Sequence, residues 1–322
     1  MASGLTHILL TKKLQDKITD ENLRNILAFG SDSLQVGAIA PDIPYASIVD
    51  NDILHKQSFL ADDFHYNKTN QIPLESLIML KKMRGSIDEK IHCQMFSFYM
   101  GYISHVFADG IIHPFVRDKV GDYKGNETAH RSLEMKLDVA LYHYLTKDSG
   151  IGFEINYTKI QDELLSFTEV EGVSIIVETF SKLIKDIYGV SFSREDILGW
   201  IKGLYRLFDV AVGDFPTFFR HLKVNTFTYK NYDDIDSEEV LNLQKPKDRE
   251  LNFLNIAMIN FFDNCLPQYF KKYIAVAQKA YEFVYRDGPS LSEKDIPMLD
   301  LDTGRLVSNN NLDEIPVLWI TT

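Results

Sequence analysis

The chain has 322 residues, 45% hydrophobic and 25% charged, an ordinary globular composition with enough apolar material for a sizeable core. Its formal net charge of −12 is repelled by a phosphate backbone, which disfavours a general DNA- or RNA-binding module. Two distant cysteines, Cys93 and Cys265, make neither a disulfide framework nor a C-x-x-C pair and are expected as buried thiols. No uninterrupted apolar run reaches the roughly 18 residues of a membrane span. The start, "MASGLTHILLTKKLQDK", lacks the basic opening, long apolar centre and small-residue cleavage site of a secretory signal. A cytoplasmic location, or export by a route that reads no such signal, is expected.

Most of the chain reads as helix. "TDENLRNILAFG" has Asp20 as N-cap and Gly30 as stop. "SIDEKIHCQMFSFYMGYISHVFADGIIH" opens on a capping box, Ser86-x-x-Glu89, and Pro114 is expected to end that helix near His113. "NETAHRSLEMKLDVALYHYL" follows, with Asn126 as cap, then "VSIIVETFSKLIKDIYG", ending on Gly189. The next helix starts at the Ser193 cap and is expected to break near Gly213 and Pro216. Residues 226–250 are polar and acidic and read as a long loop. "LNFLNIAMINFFDNCLPQYFKKYIAVAQKAYEFVYRDG" is expected to be helical, kinked or split at Pro267. Beyond residue 288 the character changes, and "LDLDTGRLVS" and "EIPVLWI" are expected to pair as short strands or to wrap the bundle. The expected architecture is all-α: a helical domain over 1–288 with a mostly non-helical tail over 289–322.

Within residues 101–116, "GYISHVFADGIIHPFV", three polar side chains interrupt an apolar run at intervals of four: His105, Asp109 and His113. Residues four apart share a helix face, so His105 and Asp109 project together. Unpaired burial of such groups costs on the order of several kcal/mol. A hydrogen-bonded network satisfies them, and so does a metal ion; three potential ligands on one apolar helix favour the metal. His130-x-x-x-Glu134 repeats the spacing on the next helix, and His7, Asp42 and His65 stand upstream in apolar or turn contexts. His55, His92, His143 and His221 read as ordinary core or surface histidines, and Asp138 as solvated or supporting. Histidine and carboxylate without cysteine suit catalytic Zn²⁺. Eight candidate ligands exceed one tetrahedral ion and fit two or three, an arrangement used to grip phosphate esters. A di-iron bundle would need glutamates from two further helices beside Glu89/His92 and Glu127/His130.

The motifs "THILL", "GAIAPDIPY", "FHY", "GYISHVFADGIIHPF" and "HRSLEMKLD" resemble, in order and spacing, the zinc-dependent phospholipase C family, whose fold is shared with the S1/P1 nucleases. The resemblance implies a multi-helix bundle with two or three zinc ions. It implies Asp42, His65, His105 and Asp109 at one zinc, His113, His130 and Glu134 at a second, and a third held by His7 and bridged by Asp109. Asp42 would also orient or deprotonate the attacking water. The implied reaction is phosphodiester hydrolysis on a phospholipid or other phosphoester, with transient contact to a membrane surface. The sequence departs from the family in two places. No Trp lies near the start to complete the third site, and Ile43 and Asp62 occupy the positions of two choline-binding aromatics. Tyr45 and Tyr66 are the aromatics left to line a substrate site. A metal-dependent nuclease or nucleotidase, a soluble phosphoesterase, and a metal-stabilised binding protein are the alternatives.

Overall fold

A computed structural model describes residues 4–48, 57–148, 162, 164–212, 232–244 and 250–320. The fold is all-α. Helices α1 (Gly4–Leu14), α2 (Glu21–Phe29) and α3 (Ser31–Ile39) precede α4 (Ser58–Tyr66), α5 (Gln71–Met83), α6 (Glu89–Val120) and α7 (Glu127–Asp148). Then come α8 (Val173–Tyr188), α9 (Arg194–Val212), a short α10 (Ser237–Leu241) and α11 (Leu266–Tyr285). Two small antiparallel pairs complete the described chain: β1 (Asn242–Gln244) with β2 (Met258–Asn260), and β3 (Leu299–Asp300) with β4 (Arg305–Leu306).

Helix α6 is the axis of the molecule. Every residue from Met95 to Arg117 on it is buried, and α1, α2, α3, α5, α7 and α11 all pack on it. A helix buried all round needs no amphipathic stripe. Helix α3 comes closest. A Cβ on Gly37 would lie 1.9 Å from the Phe98 carbonyl oxygen, and one on Gly101 would lie 2.2 Å from that of Leu34. Only glycine allows this backbone-to-backbone contact. Gly101→Ala must therefore push α3 off α6, and a loss of roughly 1–3 kcal/mol is expected in denaturant unfolding of the metal-free protein.

Local signals placed many helix ends. Asp20 accepts from the Leu23 N–H, Gly30 closes α2, Gly189 closes α8 at φ 76°, and the Ser193 hydroxyl accepts from the Asp196 N–H. Asn126 stands just ahead of α7 but donates its amide to the Asp122 carbonyl instead of capping.

Four expectations are corrected. Helix α6 runs through Pro114 to Val120, because packing on every side overrides the local preference. The Gly110 carbonyl, which Pro114 cannot bond, is approached closely by Gly304 of the tail, where a Cβ would sit 2.6 Å away. The cap of α6 is Asp88, which accepts from Lys90 and Ile91, while Ser86 bonds back to the Met83 carbonyl. The stretch before Pro267 is not continuous helix. Met258–Asn260 is a strand in register with Asn242–Gln244, and Pro267 occupies the first turn of α11, where no N–H is needed. Residues 232–244 of the expected loop form a 3₁₀ turn, α10 and β1. The expected break near Gly213 and Pro216 lies outside the described residues, as do His55 and His221.

In the tail, "LDLDTGRLVS" folds on itself as the β3–β4 hairpin, and Val317–Trp319 is a 3₁₀ turn that buries Leu318 and Trp319 against α6. Cys93 is half-buried, Cys265 is buried, and both are free thiols. Among the described residues, no helix is long and apolar enough to cross a membrane.

Candidate metal centre

Six of the eight candidate ligands converge from four parts of the chain. His7 comes from α1, Asp42 from the turn after α3, His65 from α4, and His105, Asp109 and His113 from α6. All are buried, His7, His105 and Asp109 completely. Asp109 lies at the centre. Its oxygens are 3.2 Å from His7 Nε2, 3.2 Å from His105 Nε2, 3.4 Å from His65 Nε2 and 3.5 Å from His113 Nε2. Asp42 Oδ1 is 3.3 Å from His65 Nε2. The His7 and His105 rings stack at 4.0 Å.

The far side of each ring explains what faces inward. His65 Nδ1 donates to the Ala61 carbonyl at 2.6 Å, and His105 Nδ1 to that of Ala38 at 2.8 Å. The α3–α6 glycine contact brings the Ala38 carbonyl within reach. With Nδ1 protonated, a neutral imidazole turns its Nε2 lone pair inward. The two Nε2 atoms of His65 and His105 meet at 3.1 Å, a contact that needs either a proton on one ring or a cation between them, because two neutral rings would face each other lone pair to lone pair. Both oxygens of Asp109, both nitrogens of His7, Asp42 Oδ1, His113 Nε2 and His130 Nδ1 are buried and make no hydrogen bond. Buried groups this close, paired only with one another, are of the kind that could hold more than one metal ion, with Asp109 shared among them.

Electrostatics agree. Burial works against ionisation of Asp109, yet His105 and His113 hold it well below the usual carboxylate range. Burial likewise opposes ionisation of Asp42, and His105 and His65 outweigh it. Burial disfavours a charged His65, but Asp109 and Asp42 raise it to about 10, so a proton supplies the positive charge when no metal is bound. His113 is raised to about 9 against burial, chiefly by Asp109.

Among the described residues, two triads bring one ligand atom from each member within 4.8 Å of the others: His7, Asp42 and His105, and His65, His105 and Asp109. His113 joins through Asp109. His130 and Glu134, on α7, are buried but belong to neither triad. His130 Nε2 donates to the Gly121 carbonyl at 2.7 Å, and Glu134, His113 and Asp302 all act on its charge. Tyr45 and Tyr66 flank His65, with ring centroids at 6.2 and 6.3 Å. The Tyr45 hydroxyl donates to Asp62 at 2.6 Å, and Tyr66 is 42% exposed. Burial raises both phenols, so they are neutral near pH 7.

Of two supporting residues, Asp138 was expected as solvated or supporting, and Asp302 escapes a sequence reading. Asp138 is buried and accepts from the N–H and hydroxyl of Thr6, at 2.9 and 2.6 Å, which ties α7 to α1 beside His7. Its place one turn after Glu134 was the available signal. Asp302, in the tail, accepts from His113 Nδ1 at 3.4 Å, and nothing local marks it.

A helical domain with a buried nest of inward-facing imidazoles and carboxylates is of a class that could hold metal ions. A family model described as "Zinc dependent phospholipase C" matches residues 6–207, a span that contains all eight candidate ligands. The chain belongs to that family. Comparisons with curated proteins and with solved structures each give no match.

Proposed function

We propose that the chain is a zinc-dependent phosphodiesterase of the phospholipase C type, cleaving a phospholipid to release its phosphorylated head group. The observation that carries this reading is the set of buried, mutually facing ligand atoms without hydrogen-bond partners. Zinc would be held by Asp42, His65, His105 and Asp109, with His113, His130 and Glu134 at a second ion and His7 beside Asp109 at a third. When bound, zinc supplies positive charge for the phosphoryl oxygens and acidifies water.

The chain's own groups do the rest. Asp42, kept ionised, accepts a hydrogen bond from the attacking water and directs its oxygen at phosphorus. As the P–O bond to the glycerol oxygen breaks, a proton passes to that oxygen, giving a diacylglycerol and a phosphomonoester. Asp109 holds His7, His65, His105 and His113 in one array and balances their charge. Tyr45 and Tyr66 offer neutral aromatic surface beside His65.

Asp42→Asn is expected to lower turnover by roughly 10²–10⁴-fold while the fold is retained. Zinc analysis of the purified protein, with assays on phospholipid vesicles, single-stranded DNA and a simple aryl phosphodiester, tests the reading. Less than one equivalent of zinc after loading would exclude it. Cleavage of DNA but not phospholipid would move the protein to the nuclease branch of the fold.

A further inference from the structure

The family match ends at residue 207, yet the centre is closed by residues near 300. Leu301 donates its N–H to the His65 carbonyl at 2.9 Å, and the neighbouring Asp302 accepts from His113 Nδ1 at 3.4 Å. One turn of chain thus touches two candidate ligands on two helices, α4 and α6. The turn is itself fixed. Asp300 Oδ1 accepts from the N–H groups of Asp302 and Thr303 at 2.9 and 3.0 Å, and Thr69 donates to the Leu299 carbonyl at 2.7 Å. Gly304, at φ 69°, lies too close to the Gly110 carbonyl of α6 for any side chain. The second oxygen of Asp302 pairs with Arg117 of α6, whose guanidinium also meets Glu250 and Asp122, and Glu250 pairs with Arg305 of the hairpin. These charges are mostly buried and all matched, an arrangement that tolerates little displacement.

We infer that the β3–β4 hairpin is a working part of the metal centre and that Asp302 is the positioning residue of His113. This rests on the reading of His113 as a zinc ligand. By accepting the Nδ1 proton, Asp302 selects the tautomer whose Nε2 lone pair faces Asp109. Arg117 keeps its carboxylate in place for that task. A carboxylate behind a ligating imidazole sharpens its aim and basicity, and losing one weakens metal binding about 10- to 100-fold.

The test is competition of the purified full chain against a chromophoric chelator for Zn²⁺, in wild type, Asp302→Ala, Asp302→Asn and Asn310→Ala. Asn310 bonds Asp300 and Thr303 and so steadies the hairpin without touching His113. The expected result is that Asp302→Ala weakens one zinc equivalent by about 10- to 100-fold and leaves the others unchanged. Asp302→Asn, which keeps an acceptor of similar size, recovers part of the loss, and Asn310→Ala lowers the melting temperature of the metal-free protein without singling out one zinc. The inference is overturned if wild type loads zinc and Asp302→Ala binds every equivalent as tightly. It is also overturned if Asn310→Ala reproduces the same selective loss. A wild-type chain that takes up no zinc would remove the functional reading and this inference together.

Discussion

Asp109→Ala is expected, on the proposed function, to abolish zinc binding and to cut phosphodiester turnover by more than about 10³-fold, larger than the loss of one stabilising donor in an active site. The reason is position. One carboxylate lies within 3.5 Å of four imidazole nitrogens, from His7, His65, His105 and His113, and no other described acid does so. The substitution also tests the metal-free state. Without Asp109 the charge on His65 and His113 loses its main counterion inside a fully buried site. Breaking a buried pair by removing one partner costs about 3–5 kcal/mol. Chemical denaturation in a chelating buffer should show that loss, and zinc analysis should show the missing metal. A variant that unfolds like wild type in chelator, or that still carries a full zinc complement, would contradict the arrangement.

The metal-free protein is expected to lose stability as pH rises from about 7 to about 9, while zinc affinity increases over the same range. In the folded chain His65 is raised to about 10 and His113 to about 9, from 6.5 when unexposed to partners. A base whose folded pKa is raised contributes stability that is complete below the unfolded value and fades as pH climbs through the folded one. His105 and His130 are shifted the other way, mainly by burial, so above their unfolded value they are neutral in both states and add no slope there. Zinc competes with the same protons, so its binding strengthens as they leave. Thermal melts across this range, with chelator and with zinc, should diverge. Parallel curves would mean that His65 and His113 carry no proton in the folded, metal-free chain.

The centre was legible where its members share one element. His105, Asp109 and His113 stand four apart on an apolar helix, and periodicity alone makes them neighbours. His7, Asp42 and His65 lie on separate elements, and no local rule joins them; only the order of short motifs did. Asp302 lies still further away, in a turn whose residues would suit any surface hairpin. Its part depends on α6 extending past Pro114, which places Arg117 to receive it. The mistaken helix end at His113 and the unseen role of Asp302 therefore have one cause: tertiary burial overriding a residue's local preference. The strand at Met258–Asn260 failed differently. A short apolar run there serves helix or strand equally, and its partner strand lies in a stretch that composition marks as loop.

The groups that aim His65 and His105 are main-chain carbonyls, those of Ala61 and Ala38. Every amino acid carries that carbonyl, so the orienting function at 38 and 61 is independent of side-chain identity. What those positions must supply is smallness, because both alanines are fully enclosed. A saturation scan there should sort variants by volume, with glycine and serine accepted and leucine rejected. Part of the candidate metal centre is thereby written in backbone geometry, where the amino-acid alphabet leaves no trace.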